Sequence, residues 1–254
     1  MLVDLHVHSS FSFGCPLDPE QAVARAEAVG LDGVCFTDVG AFRGLETYEK
    51  LAQTSKIAVF AGLEVATDHG RYLAFFAEPR AHLDLRFGPD LPSARRVVEQ
   101  VRDRGGVVVA AHPYDRSVER PAGDFVFTLR GLSAVEGYAG TRKSNVNELA
   151  IEAADHLSLP CVGGSAAEKE YEEIGTAATL FKEPVRNEAE LVEAIRGGAV
   201  WAVAIGTPPR FQGDQAVRGY REDRHPRGDR PERRDRGGRG GPRRRGGGRS
   251  GGRR

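Results

Sequence analysis

Cysteine is scarce in this chain of 254 residues: Cys15, Cys35 and Cys161 are scattered, and no two share CxxC spacing. An odd, dispersed set excludes a disulfide scaffold and fits a reducing compartment, so a cytoplasmic location is expected. No stretch approaches the roughly eighteen uncharged apolar residues that a membrane-spanning helix needs. The first residues run straight into Asp4 and His6 with no basic segment before an apolar run, so no secretory leader is expected. Net charge is missing as well, because 36 Lys+Arg balance 36 Asp+Glu.

That balance conceals two opposed parts. Residues 1–209 carry 20 Lys+Arg against 30 Asp+Glu, whereas 210–254 carry 16 Arg, no Lys and 6 acids. Apolar residues almost vanish after Val217, and the end reads RGGRGGPRRRGGGRSGGRR. Such a segment cannot offset its ordering entropy by burial, so a disordered tail over 208–254 is expected beside a folded domain over 1–207. Arginine stays charged, pairs with phosphate through two N–H groups and stacks on bases. RNA or single-stranded nucleic acid is therefore the expected partner of 210–254, against contact with the acidic body or a purely solubilising role.

Within the first 205 residues, short apolar runs alternate with helical patterns. The runs are LVDLHV (2–7), GVCFTD (33–38), IAVFAGLEV (57–65), RYLAFF (71–76), GVVVAA (106–111), GLSAVEG (131–137), PCVGG (160–164) and AVWAVA (199–204). DPEQAVARAEAVG opens with Asp18, has Pro19 where a first helical residue belongs and ends at Gly30. LPSARRVVEQVRDRGG and NVNELAIEAADHL are also helical. The rhythm predicts an α/β fold with a mostly parallel sheet, open or closed, and seven or eight strands favour a barrel.

Polar residues gather where these strands end, which is where such folds place their sites. His6 and His8 are two apart, so a strand directs both to one face. Thr37 and Asp38, Glu64, His112 and Glu136 close four further runs. Imidazoles with a carboxylate suit zinc, manganese or iron. Ions of this kind lower the pKa of a water and offset the charge that grows on a phosphate, so phosphoester hydrolysis is the natural chemistry, with deacylation possible from the same groups.

The segments DLHVHSSFSFG, GLDGVCFTDVG, AGLEVATDHGRYLAFF, VVVAAHP, LSAVEGYAG and NELAIEAADHLSLPCVGGSAAEKEYEEIGTAATLF resemble, in order and spacing, the PHP (polymerase and histidinol phosphatase) domain family. The resemblance implies a distorted seven-stranded β/α barrel with up to three metals in its mouth, acting on phosphate esters that include nucleotides and nucleic acid ends. It also shows departures. Phe13 and Gly14 follow a serine after which the family has an acid or histidine; Val39 replaces the histidine of Thr-Asp-His; and Tyr72 takes a metal-histidine position, with His69 three residues away as a substitute. Gly-Ser-Asp-Ala-His has become Gly164, Ser165, Ala166, Ala167 and Glu168. What remains implies a single divalent ion held by His6, His8, Glu64, His69 and His112.

Hydrolysis also needs a clamp on the phosphate and a proton acceptor. Arg43 and Arg116 are the candidate clamps, with Arg142 and Lys143 as similar loop residues. Asp38 and Glu168 are the candidate acceptors, Asp38 alternatively orienting a ligand histidine. Two readings stand. One is a metal-dependent phosphoesterase acting on nucleotides, RNA or another phosphorylated small molecule. The other is a catalytically inactive scaffold that binds RNA or protein.

Overall fold

The computed structural model describes residues 1–40, 43–85 and 90–206, so the Arg/Gly-rich segment lies outside the described residues. Ten strands form one sheet: β1 (Leu2–Val7), β2 (Gly33–Phe36), β3 (Ala58–Ala61), β4 (Leu63–Thr67), β5 (Gly70–Phe75), β6 (Val107–Ala111), β7 (Ala134–Ala139), β8 (Cys161–Gly164), β9 (Ala177–Phe181) and β10 (Val200–Ala204). Their order is β3-β2-β1-β9-β10-β8-β7-β6-β5-β4. The two ends of that order are consecutive in the chain and meet. Val39, just past β2, bridges Glu64 of β4, and the Gly40 N–H donates to the Glu64 carbonyl at 2.9 Å, so the sheet curls into a nearly closed barrel.

The expectation of seven strands, mostly parallel, is therefore corrected to ten in a mixed sheet. Two local features take the eight apolar runs to ten strands. The run 57–65 divides at Gly62, where a Cβ would lie 2.7 Å from the Phe75 ring, and its halves become β3 and β4. The segment Ala177–Phe181 forms β9, which pairs antiparallel with both β1 and β10. The β4–β5–β6 stretch is antiparallel as well.

Five helices flank the barrel among the described residues: α1 (Pro19–Ala28), α2 (Leu45–Thr54), α3 (Ala94–Asp103), α4 (Ser144–Leu157) and α5 (Glu188–Gly197). Asp18 caps α1, accepting from the N–H groups of Glu20 and Gln21, with Pro19 in the first turn as its sequence predicts. Ser93 and Asn187 cap α3 and α5 in the same way.

The barrel interior is legible from one apolar cluster to which most strands contribute, including Val3, Leu5, Cys35, Phe60, Leu73 and Val109. Leu191, Val192 and Ile195 of α5 join it and close one end. A second cluster, including Val34, Phe36, Tyr72 and Val108, lies under α1, α2 and α3. Each strand thus has an interior side and a helix-facing side. The end opposite α5 is where the polar residues collect.

Candidate metal centre

Simple alternation along β1 would put Val7 on the face of Val3 and Leu5. Instead Val7 packs in the helix-facing cluster, because the pairing of β1 with β2 shifts register between Asp4 and Val7. That irregularity turns His6 and His8 toward the interior. β4 contributes Glu64 from the interior side, since its neighbours Leu63 and Val65 face the helices. His112 follows Val108 and Ala110 and by alternation should face the helices too, but its φ of 28° re-aims it. Positive φ is uncommon outside glycine, and here it brings the His112 ring to the Glu64 carboxylate.

The four side chains converge. His6 Nε2 lies 3.8 Å and His112 Nε2 3.5 Å from Glu64 Oε1, and His8 Nε2 lies 3.8 Å from Glu64 Oε2. The His6 ring stacks on His112 with centroids 5.6 Å apart and meets His8 edge-on at 5.1 Å. Two donor sets have all their atoms within 4.8 Å of one another: His6, His8 and Glu64, and His6, His112 and Glu136.

Hydrogen bonding separates these sets. His6 Nδ1 lies 2.7 Å from Glu136 Oε1, and the His112 backbone N–H donates to Glu136 Oε2 at 2.8 Å. With both oxygens engaged, Glu136 is placed to orient the His6 ring, and a proton on Nδ1 facing it would leave the lone pair on His6 Nε2. That nitrogen and Glu64 Oε1 are buried and find no hydrogen-bond partner among the described residues. Buried polar atoms without partners are costly, and two facing each other across a histidine cluster are what a cation site requires. The residues therefore fit a divalent ion.

Charge in the cluster is mutually supporting. Burial alone would raise the Glu64 carboxyl, yet the His112 contact and the neighbouring imidazoles hold it well below the usual range. Burial would lower His6, but the charge and hydrogen bond of Glu136 outweigh it and raise the ring above its ordinary value. Burial dominates at His8 and lowers it, favouring the neutral imidazole that ligates metals.

Asp4 and Asp38 serve as braces. Asp4 accepts from the backbone N–H groups of Ser165 at 2.7 Å, Gly175 at 3.0 Å and His6 at 3.2 Å, tying β1 to the segment after β8; burial still pushes its carboxyl up to about 6. Asp38 accepts from the Ser9 N–H at 2.8 Å and the Ser12 hydroxyl at 2.6 Å, and the Tyr48 hydroxyl of α2 also donates to it. Ser12 Oγ stands 3.5 Å from His8 Nδ1, so Asp38 reaches the metal cluster through a hydroxyl.

The remaining candidates are dispersed. His69 is exposed at the β4–β5 turn, 3.2 Å from Asp68 and stacked on Phe125, and neither donor set includes it. Tyr72 is buried on the helix-facing side and donates to the His69 carbonyl at 2.7 Å. Glu168 is half-buried beside His8, whose backbone N–H donates to the Ala167 carbonyl at 2.9 Å. Arg43 and Arg116 are exposed. Arg142 forms an ion pair with Asp115 at 2.9 Å.

Arg71, absent from the sequence-based candidates, is in the cluster: its Nη1 donates to Glu64 Oε2 at 2.7 Å. Register is the signal that finds it. Glu64 pairs with Leu73, so Arg71, two residues before Leu73 on β5, shares the Glu64 face. Glu136 was visible as a strand-end acid, but its orienting role depends on the His6 geometry.

The sequence pattern of the PHP domain matches residues 4–173. An uncharacterized protein of Methanocaldococcus jannaschii, MJ1587, is 27% identical over 165 residues, 59% of this chain and 90% of that one. Among solved structures, PsfC from Pseudomonas syringae superposes with a TM-score of 0.66 at 19% identity, covering 85% of this chain and 96% of its own. A provisionally assigned metal-dependent phosphoesterase from Bifidobacterium adolescentis gives 0.58 at 18% identity, over 76% of this chain and 95% of its own. An amidohydrolase from Chromobacterium violaceum, solved with sulfate bound, gives 0.56 at 17% identity over 78% and 96%. Identities this low establish a shared fold and nothing finer.

Proposed function

Because the chain belongs to the PHP domain family, we propose that it is a metal-dependent phosphoesterase holding one zinc, manganese or iron ion and acting on nucleotides or RNA. The carrying observation is the buried His6, His8 and Glu64 cluster with His6 Nε2 and Glu64 Oε1 unpartnered and Glu136 fixing the His6 ring. When bound, such an ion supplies Lewis acidity and a hydrolytic water of lowered pKa.

The chain's own groups do the rest. His6, His8 and Glu64 would hold the ion, and His112, facing the same Glu64 oxygen as His6, would complete the set. Glu168, half-buried beside His8, is the proton acceptor, and Asp38 steadies His8 through Ser12. Arg116 lines a cleft with Arg142, Lys143 and Ser117 next to the barrel mouth, a setting suited to a distal phosphate. Fully exposed Phe13, in the loop after His8, offers a surface on which a base can stack.

The scaffold reading rests on a different observation: Ala166, fully buried, stands where the late motif has its aspartate. Hydrolysis of p-nitrophenyl phosphate, its bis-ester, nucleotides and short RNA by protein loaded with manganese or zinc separates the two. The phosphoesterase reading expects turnover that a chelator abolishes and Glu64→Gln reduces at least about a hundredfold, the scale of losing a group that stabilises the transition state. Loaded protein inert on all four substrates would leave the scaffold.

A further inference from the structure

Glu64 presents its two oxygens to different partners. Oε1 faces His6 Nε2 and His112 Nε2 and is otherwise unpartnered. Oε2 faces His8 Nε2 at 3.8 Å but is already bound by the Arg71 guanidinium at 2.7 Å. A carboxylate bridging two ions gives one oxygen to each. Here one oxygen is left for an ion and the other carries a fixed organic cation.

We propose that Arg71 takes the place of a second metal ion, so that the centre is one ion plus one guanidinium on opposite oxygens of Glu64. This rests on the metal reading above and deepens it. Three observations favour a built arrangement over a stray surface contact. The Glu64 side chain is only 1% exposed, so its partner is chosen inside the barrel. Arg71, one pair from the turn of the β4–β5 hairpin, is anchored by its pairing with Ala66 on β4 and Ala111 on β6, which places its side chain on the Glu64 face. Its side chain remains 35% exposed although it reaches a buried carboxylate, so it joins the interior cluster to the surface.

The exchange has chemical consequences. A guanidinium neutralises a carboxylate oxygen and binds phosphoryl oxygens through paired N–H groups, as an ion does electrostatically. It offers no coordination position, so it cannot ligate a water as a metal does. Water activation then falls to the single ion, while Arg71 supplies charge and orientation. Its permanent positive charge also repels any cation approaching Oε2, which caps the stoichiometry at one.

The test is metal titration of the full chain, made without a histidine tag, stripped with chelator and titrated with manganese or zinc. Wild type and Arg71→Lys, which keeps the charge, are expected to bind one equivalent. Arg71→His replaces the charge with a donor beside Glu64 Oε2 and His8 and is expected to bind two. Arg71→Ala removes the charge without adding a donor and is expected to bind its first ion at least tenfold tighter. Circular dichroism confirms that each variant is folded, and the two replacements give independent readouts if one is not. One equivalent of unchanged affinity in both Arg71→His and Arg71→Ala overturns the role of Arg71 while leaving the metal reading intact. Two equivalents in wild type does the same. No metal in wild type overturns both.

Discussion

His6, His8, Glu64 and His112 were legible from their places at strand ends, because chemistry-bearing side chains are rare in otherwise apolar runs. Their neighbours were harder to read. Arg71 becomes visible only when the β4–β5 register puts it on the Glu64 face, and Glu136, though visible as a strand-end acid, shows its tie to His6 only when His6 Nδ1 is seen to lie on it. Glu136→Gln keeps the shape but removes the charge that orients His6. Metal affinity should fall about 10–100-fold with the fold intact, as judged by titration and circular dichroism; unchanged affinity would show that Glu136 is merely packed there. Ala166 has a φ of 54° and is fully buried. That conformation costs an ordinary L-residue about 1–2 kcal/mol and is tolerated better by Asp and Asn. Ala166→Asp should therefore tighten metal binding at least about tenfold without lowering the melting temperature, provided the new carboxylate is paired by the ion it serves. Weaker binding would show that the segment no longer faces the ion.

Helices were the easier elements to anticipate, since capping residues such as Asp18 and Pro19 announce them locally. Strand count was not, because it depends on contacts remote in sequence. Gly62 ends one strand and starts another under the Phe75 ring, and β9 exists only through its antiparallel pairing with β1 and β10. The register shift in β1 and the positive φ of His112 are likewise tertiary adjustments, and without them His6, His8 and His112 would not meet. β8 also approaches β1 closely: a Cβ on Gly164 would lie 2.5 Å from the His6 Cβ and 2.6 Å from its backbone nitrogen. Gly164→Ala should cost about 1–3 kcal/mol by overpacking and displace His6. Denaturant unfolding and metal titration check both effects, and a neutral result in both would mean that β8 yields without moving β1.

The whole molecule joins an acidic PHP barrel to an arginine-rich segment of opposite charge, with 16 Arg and 6 acids after residue 209. Among the described residues no helix is long and apolar enough to cross a membrane. The body, with 20 Lys+Arg against 30 Asp+Glu, repels phosphate at long range, so the RNA contact proposed for this chain is expected from the segment. Removing 208–254 should abolish most salt-sensitive RNA binding and leave metal binding unchanged; equal binding by the truncated chain would place the RNA surface on the barrel. The ion itself is tested by elemental analysis of tag-free protein reconstituted with manganese or zinc, beside a His6→Ala/His8→Ala control shown to be folded. One equivalent is expected in the wild type and none in the control. No ion in the wild type, or the same content in both proteins, would contradict the metal reading.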